Sequence, residues 1–129
     1  RMVFESFAHV PVTEELLRHV WEGEPNGRQG GHRFGLGREG KTEFPEHWDI
    51  SMVEHSIHEV LSRPQRIHTD GRNLTLHRII GGVMVCVKLR NSIHSYLVFA
   101  AFPVCGDGVF RVTKGIPRPI PLDFSMLEA

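Results

Sequence analysis

The 129-residue sequence has no net charge, few cysteines and no long apolar segment. Fifteen Lys and Arg residues balance fifteen Asp and Glu residues, which argues against simple charge-driven binding to nucleic acid. No apolar run reaches the roughly 18 to 20 residues of a membrane span. Residues 1–20 also lack the basic start and apolar middle of a signal peptide. These absences predict a single globular domain over residues 1–129 with no stable membrane association.

Metal-binding patterns are also missing. Cys86 and Cys105 lack metal-type spacing and lie in apolar segments, where buried free thiols are the usual outcome, although the sequence leaves a disulfide open. His55 and His58 do not have the i, i+4 spacing of the zinc-binding His-Glu-x-x-His helix. We therefore predict no metal site and no cofactor.

What the sequence does contain is a glycine-rich stretch between two histidines. Six of the 13 glycines lie between residues 23 and 37, and His19 and His32 stand on either side of most of them. Glycine permits close approach of another backbone, and histidine can give or take a proton near neutral pH. Arginine suits phosphate, and Arg28, Arg33 and Arg38 lie within this stretch or shortly after it. The combination indicates acid–base chemistry on a phosphate ester.

The apolar periodicity changes along the chain from helical to strand-like. Thr13 and Asp49 are predicted N-caps of a helix ending near Gly23 and of a second helix over 50–62. A long loop joins them, with a possible short strand over 33–36. Strands are predicted at 66–69, 74–80, 82–89, 94–102 and 109–113, and the proline-rich stretch 115–121 should wrap a sheet edge. This is an α+β fold: N-terminal helices and a long glycine-rich loop packed with a mostly antiparallel sheet.

Three motifs are similar to a known family. Gly30 to Arg33 reads Gly-Gly-His-Arg, Gly40 to Trp48 reads Gly-Lys-Thr-Glu-Phe-Pro-Glu-His-Trp, and residues 100–103 read Ala-Ala-Phe-Pro. In these motifs the chain resembles the bacterial EndoU endoribonucleases, which are related to the coronavirus uridylate-specific endoribonuclease. The resemblance covers roughly residues 16–122. It implies an EndoU-like nuclease fold and metal-independent cleavage of RNA.

The resemblance also implies a catalytic set of two histidines and a cation. His32 would be the base and His19 the acid, giving 2′,3′-cyclic phosphate and 5′-OH ends. The family's lysine has no direct counterpart, because residues 43 to 87 contain none. Basic side chains in the expected region are Arg63, Arg66, His68, Arg72 and Arg78. From its approximate spacing and its place after a glycine turn, we predict Arg72 as the third catalytic residue.

A second group of residues is predicted to bind substrate: Arg28, Arg33, Arg38, Lys41, Thr75 and Phe102. Phe102 stands where the family has Tyr, and Ala100 stands where it has Thr. Phe102 and Trp48 could each stack on a base or belong to the core.

Biological context follows from the resemblance alone. Bacterial EndoU domains are mostly toxin modules at the C-termini of large secreted effectors, including contact-dependent inhibition systems. They attack RNA, often tRNA, in the cytoplasm of a target cell and are blocked by a cognate immunity protein. A sequence that begins at Arg1 fits the expectation of a piece of such an effector.

Two other functions remain open from the sequence. The missing lysine and the altered Ala-Ala-Phe-Pro motif would fit a catalytically degenerate EndoU-like domain that only binds RNA or an immunity protein. The nine histidines would fit a metal-binding protein, although no known ligand spacing supports it.

Overall fold

The computed structural model of the protein describes residues 6–128, so that residues 1–5 and 129 of the predicted domain lie outside the description. The elements are α1 (Glu14–Trp21), β1 (Thr42–Glu43), α2 (Ile50–Ser62), β2 (Arg66–Asp70), β3 (Asn73–Ile80), β4 (Val83–Asn91), β5 (Tyr96–Gly106), β6 (Phe110–Thr113), β7 (Ile116–Pro119) and a 3₁₀ turn at Phe124–Leu127. Two helices precede most of the strands, and every strand pair is antiparallel. The predicted α+β class is confirmed.

Both helices begin where the capping residues predict. The Thr13 hydroxyl accepts the N–H of Leu16 at 3.1 Å, and the Asp49 carboxylate accepts the N–H of Met52 at 2.9 Å. Each bond satisfies one of the backbone donors that the first helical turn leaves unpaired. The apolar stripe of each helix is buried as its spacing requires; the buried side chains are Leu16, Leu17, Val20, Val53, Ile57, Val60 and Leu61.

The strands form two sheets, against which the helices and the long loop pack. Four strands pair in the order β2-β3-β4-β5, and three pair in the order β1-β6-β7. Helix α2 packs on β3 and β4, while α1 lies against β5. The core between them includes Leu76, Val85 and Val87, none of which is exposed. In this order β2 and β5 are the two edges of the four-stranded sheet. Three strand spacings of about 4.8 Å each separate them by about 14 Å.

The possible strand over 33–36 does not form, and the chain turns there instead. The reason is the buried Glu43 carboxylate, which accepts the N–H groups of Gly35 and Gly37 at 3.0 and 2.8 Å. The neighbouring strand is instead β1, which pairs with β6. The proline-rich stretch behaves as predicted, since among residues 6–128 β7 pairs with β6 alone and forms an edge.

The cysteines are buried free thiols, which answers the disulfide question left by the sequence. Burial raises the pKa of Cys86 to about 12, so this thiol stays protonated at neutral pH. His55 and His58 are exposed on α2. Within residues 6–128 no three His, Cys, Asp or Glu side chains are grouped to hold a metal ion. In the same range no helix has the length and apolarity needed to cross a membrane.

Candidate active site

The end of α1 binds the glycine-rich loop through its own unpaired carbonyl groups. The last carbonyls of a helix have no intrahelical partner and must find donors elsewhere. Three consecutive N–H groups of the loop supply them, from Gly31 to His19 at 3.0 Å, from His32 to Val20 at 2.7 Å and from Arg33 to Trp21 at 3.1 Å. This backbone ladder holds the two histidines side by side.

Gly30 is the residue that permits this contact. Its φ is +67°, a conformation that L side chains rarely adopt, and a Cβ there would overlap the carbonyl oxygen of His19. Arg38 packs along the same loop, since a Cβ at Gly23 or Gly31 would lie 2.7 Å from its side chain. Three of the four glycines between the histidines, Gly23, Gly30 and Gly31, therefore permit close approach of neighbouring groups, as their pattern suggested, whereas Gly27 has nothing within 4 Å.

The two histidines face a common cavity of about 260 Å³. One wall is the loop with Lys41 and Thr42, and the opposite wall is β5 from Ala100 to Val104. Arg111 on β6 lines the same cavity, and its Nη1 donates to the carbonyl of Gly40 at 2.9 Å. The remaining lining residues are Gly30, Gly40, Ala101, Phe102 and Pro103. Two imidazoles and two cationic side chains thus share one small cavity.

His32 is the buried member of the pair, with 7% of its surface exposed. Its Nδ1 lies 2.7 Å from the carbonyl oxygen of Thr42, which can only accept, so that Nδ1 carries the proton. Burial lowers the pKa of His32 to about 4, and the positive charges of Lys41, His19 and Arg38 act in the same direction. At neutral pH this imidazole is therefore uncharged, and Nε2 has a free lone pair.

His19 has a different environment. Its Nδ1 lies 2.7 Å from Oε2 of Glu24, and Arg18 lies 3.6 Å from the same carboxylate oxygen. The hydrogen bond with His19 lowers the pKa of Glu24, so the carboxyl group is ionised at neutral pH. An ionised carboxylate on Nδ1 orients the ring, leaves Nε2 free and compensates the charge of a protonated imidazole. The two imidazoles thus have different partners: His32 is buried against a carbonyl group, and His19 faces a carboxylate.

Phe102 positions His32. The two rings are stacked with centroids 5.7 Å apart, and the Nζ atom of Lys88 lies over the Phe102 ring at 5.9 Å. Trp48, the other aromatic residue considered for base stacking, is instead 6% exposed and stacked on Phe44 in the core. Of the two candidates, only Phe102 lines the cavity.

The structure brings some of the predicted site residues together and leaves others apart. His19, His32, Lys41 and Phe102 line the cavity. Arg72 does not: it lies in the exposed turn between β2 and β3, where its carbonyl accepts the N–H of Asn91 at 2.8 Å. Asn91 pairs with Tyr96 at the start of β5, whereas the cavity is lined by β5 from Ala100 to Val104. Thr75 pairs with Lys88 in the middle of the sheet, also outside the cavity lining.

The three predicted phosphate-binding arginines likewise lie outside the cavity lining. Arg28 and Arg33 are exposed on the loop, and Arg38 braces it. The cations that do line the cavity are Lys41, which directly precedes β1, and Arg111. The prediction of Arg72 as the third catalytic residue therefore finds no support in the geometry, because spacing along the chain does not reveal which end of the sheet a turn occupies.

Several residues of the cavity were not among the predicted site residues. The Thr42 hydroxyl is buried without a hydrogen-bond partner among residues 6–128, although Thr42 lines the cavity. Arg111 lies on β6, 71 residues after Gly40, the loop residue to which it donates a hydrogen bond. A bulge in β5 adds Val104, because Met84 pairs with Cys105 and Val85 with Pro103, leaving Val104 without a partner. Bulges depend on how two strands pair, so the apolar period of one strand does not predict them.

Comparison of the chain with protein-family models, with curated proteins and with solved structures gives no significant match.

Proposed function

We propose that this protein is an endoribonuclease that cleaves RNA by acid–base transphosphorylation without a metal ion. The observation that supports this most directly is the pair of histidines in one cavity, one kept neutral by burial and the other facing a carboxylate. A pair of groups in opposed environments is the arrangement that general acid–base catalysis requires.

The proposed step uses both free ring nitrogens. Nε2 of His32 takes the proton of the ribose 2′-OH, and the 2′-oxygen attacks the adjacent phosphorus. As the P–O5′ bond breaks, Nε2 of His19 gives a proton to the departing 5′-oxygen. The products are a 2′,3′-cyclic phosphate and a 5′-OH. Because the nucleophile is the 2′-OH, DNA is not a substrate.

Lys41 and Arg111 are proposed to stabilise the charge that develops on the phosphate. Fixed cations in a partly enclosed cavity stabilise such charge without reorganisation. Lys41 takes the role that the sequence suggested for Arg72, since it lines the cavity with both histidines.

Following the resemblance to bacterial EndoU domains, we also propose the biological setting. The domain would act as a toxin in the cytoplasm of a target cell, delivered as the C-terminal part of a larger secreted effector. Its substrate would be RNA, with tRNA as the first candidate, and a cognate immunity protein would block it. The alternative of a degenerate binding domain is supported by the altered Ala-Ala-Phe-Pro motif, in which Ala100 and Phe102 lack the hydroxyl groups of the family's Thr and Tyr.

The test is end-mapping of total tRNA incubated with the protein in EDTA. We expect fragments with cyclic phosphate ends, and a loss of at least about 10²-fold for His19→Ala and for His32→Asn. The Asn variant keeps a donor for the Thr42 carbonyl and so avoids disturbing the loop. His58→Ala, an exposed histidine on α2, is the matched control.

Each outcome decides between the functions. Intact RNA with retained binding would favour the degenerate domain. Cleavage that disappears in EDTA would favour the alternative of a metal-binding protein. Near-full cleavage by both histidine variants would show that the catalytic assignment is wrong.

A further inference from the structure

A second cavity of about 290 Å³ shares His19 with the first. Its other walls come from the outer side of α1 and from the start of β5. Arg18 and Glu15 lie on the α1 side, while Val98 and Phe99 lie on the β5 side; Thr13, Leu16 and Glu24 complete the lining. The candidate acid of the proposed reaction therefore stands between two neighbouring cavities.

Phe99 is directed into the second cavity by a β-bulge. Lys88 pairs with Ala100 and Leu89 pairs with Val98, so Phe99 has no partner on β4. A bulge adds one unpaired residue and changes the direction of its side chain. Phe99 is half-buried, and the guanidinium group of Arg90 lies 4.8 Å from its ring centre. The bulge thus places an aromatic ring and an arginine beside the wall of the second cavity, outside the apolar core.

We propose that the second cavity binds the nucleoside on the leaving side of the scissile phosphate. This inference rests on the proposed function and on the role of His19 within it. The acid must contact the 5′-oxygen of the leaving nucleoside, because that oxygen receives its proton. The leaving nucleoside is therefore bonded to the atom that His19 contacts, and the second cavity is the one that continues beyond His19.

The side chains of this cavity suit a nucleobase. Unstacked RNA bases bind proteins by stacking on aromatic rings or on arginine guanidinium planes, with hydrogen bonds to their edges. Phe99 supplies the ring, with Arg90 over it. The Glu15 carboxylate forms no hydrogen bond or ion pair with any described residue, so it can accept a base N–H. A carboxylate in this place disfavours a phosphate group, which supports a base and not the backbone as occupant.

The experiment compares two short RNAs that each carry a single cleavable ribose. One has a normal base on the leaving side, and the other has an abasic sugar at that position. Phe99→Ala should lower kcat/KM for the base-bearing RNA by at least about fivefold, which corresponds to about 1 kcal/mol of stacking. The same variant should leave cleavage of the abasic RNA unchanged. Phe99→Trp should retain wild-type cleavage, and Leu97→Ala is the matched control, since Leu97 is an exposed apolar residue of the same strand.

Binding measured by fluorescence anisotropy separates this inference from the proposed function. The probes are the same two RNAs with deoxyribose at the cleavable position. Base-dependent binding that Phe99→Ala abolishes would support the subsite even if the wild type cleaves no RNA, an outcome that would overturn the proposed function alone. Cleavage by the wild type, together with equal effects of Phe99→Ala on both RNAs, would overturn the subsite alone. Absence of base-dependent binding and of cleavage would overturn both.

Discussion

Acid should destabilise this protein through His32 in particular. The pKa of His32 is about 4 in the folded protein because the ring is buried, whereas an unfolded histidine titrates near 6.5. Between these values the unfolded chain binds a proton that the folded protein does not. The free energy of unfolding therefore falls as pH falls through this window, and the contribution of His32 is fully present only above about pH 6.5.

The size of the effect follows from the two pKa values. Each unit of difference corresponds to about 1.4 kcal/mol, so the full contribution is about 3 kcal/mol, lost by the time the pH is below about 4. Between pH 7 and pH 5 the loss is about 2 kcal/mol, because the unfolded histidine takes up most of its proton there while folded His32 remains neutral.

The assay is urea unfolding of the wild type and of His32→Asn at pH 7 and at pH 5. Asn at this position keeps a side-chain N–H for the Thr42 carbonyl but does not titrate. The other histidines are common to both proteins, so their contributions cancel in the comparison. We expect the wild type to lose about 2 kcal/mol more than the variant over this interval. Equal losses in the two proteins would refute the reasoning, since they would show that His32 is not desolvated.

Three other predictions concern the cations and the loop. Lys41→Met should lower kcat/KM for RNA by at least about 10²-fold, as expected for loss of a charge that stabilises the transition state. Arg72→Met should have no effect. A similar loss in both variants would show that Arg72 belongs to the active site. Arg111→Gln should make the plot of log kcat/KM against log salt concentration less steep by about 0.7, the value for one contact with single-stranded phosphate. An unchanged slope would show that Arg111 does not contact the RNA. Gly30→Ala should cost more unfolding free energy than Gly27→Ala by at least about 1 kcal/mol, because both have positive φ but only Gly30 has a carbonyl oxygen where the methyl group would go. Equal costs in urea unfolding would mean that the loop can move away from α1.

Local features of this protein could be predicted from its sequence because they depend on neighbours along the chain. Thr13 and Asp49 cap helices through bonds to residues three positions later, and the strands after residue 66 follow the change in apolar period. The pairing of His19 with His32 was also predictable in outline. The glycines between them permit a tight return of the loop, and the return itself uses the unpaired carbonyls that every helix end possesses.

The tertiary structure decided which of the predicted cations and aromatic rings lie beside the histidines, and it added others that were not predicted. Arg72 satisfied the spacing along the chain, yet strand pairing puts it beside Asn91 and the start of β5, away from the part of β5 that lines the cavity. Lys41 lines the cavity because the loop folds back beside β5, and Phe99 reaches the second cavity through a bulge. Strand order and bulges arise from pairing between distant segments. A sequence pattern contains the period of each strand, but it does not contain the partner against which that strand is registered.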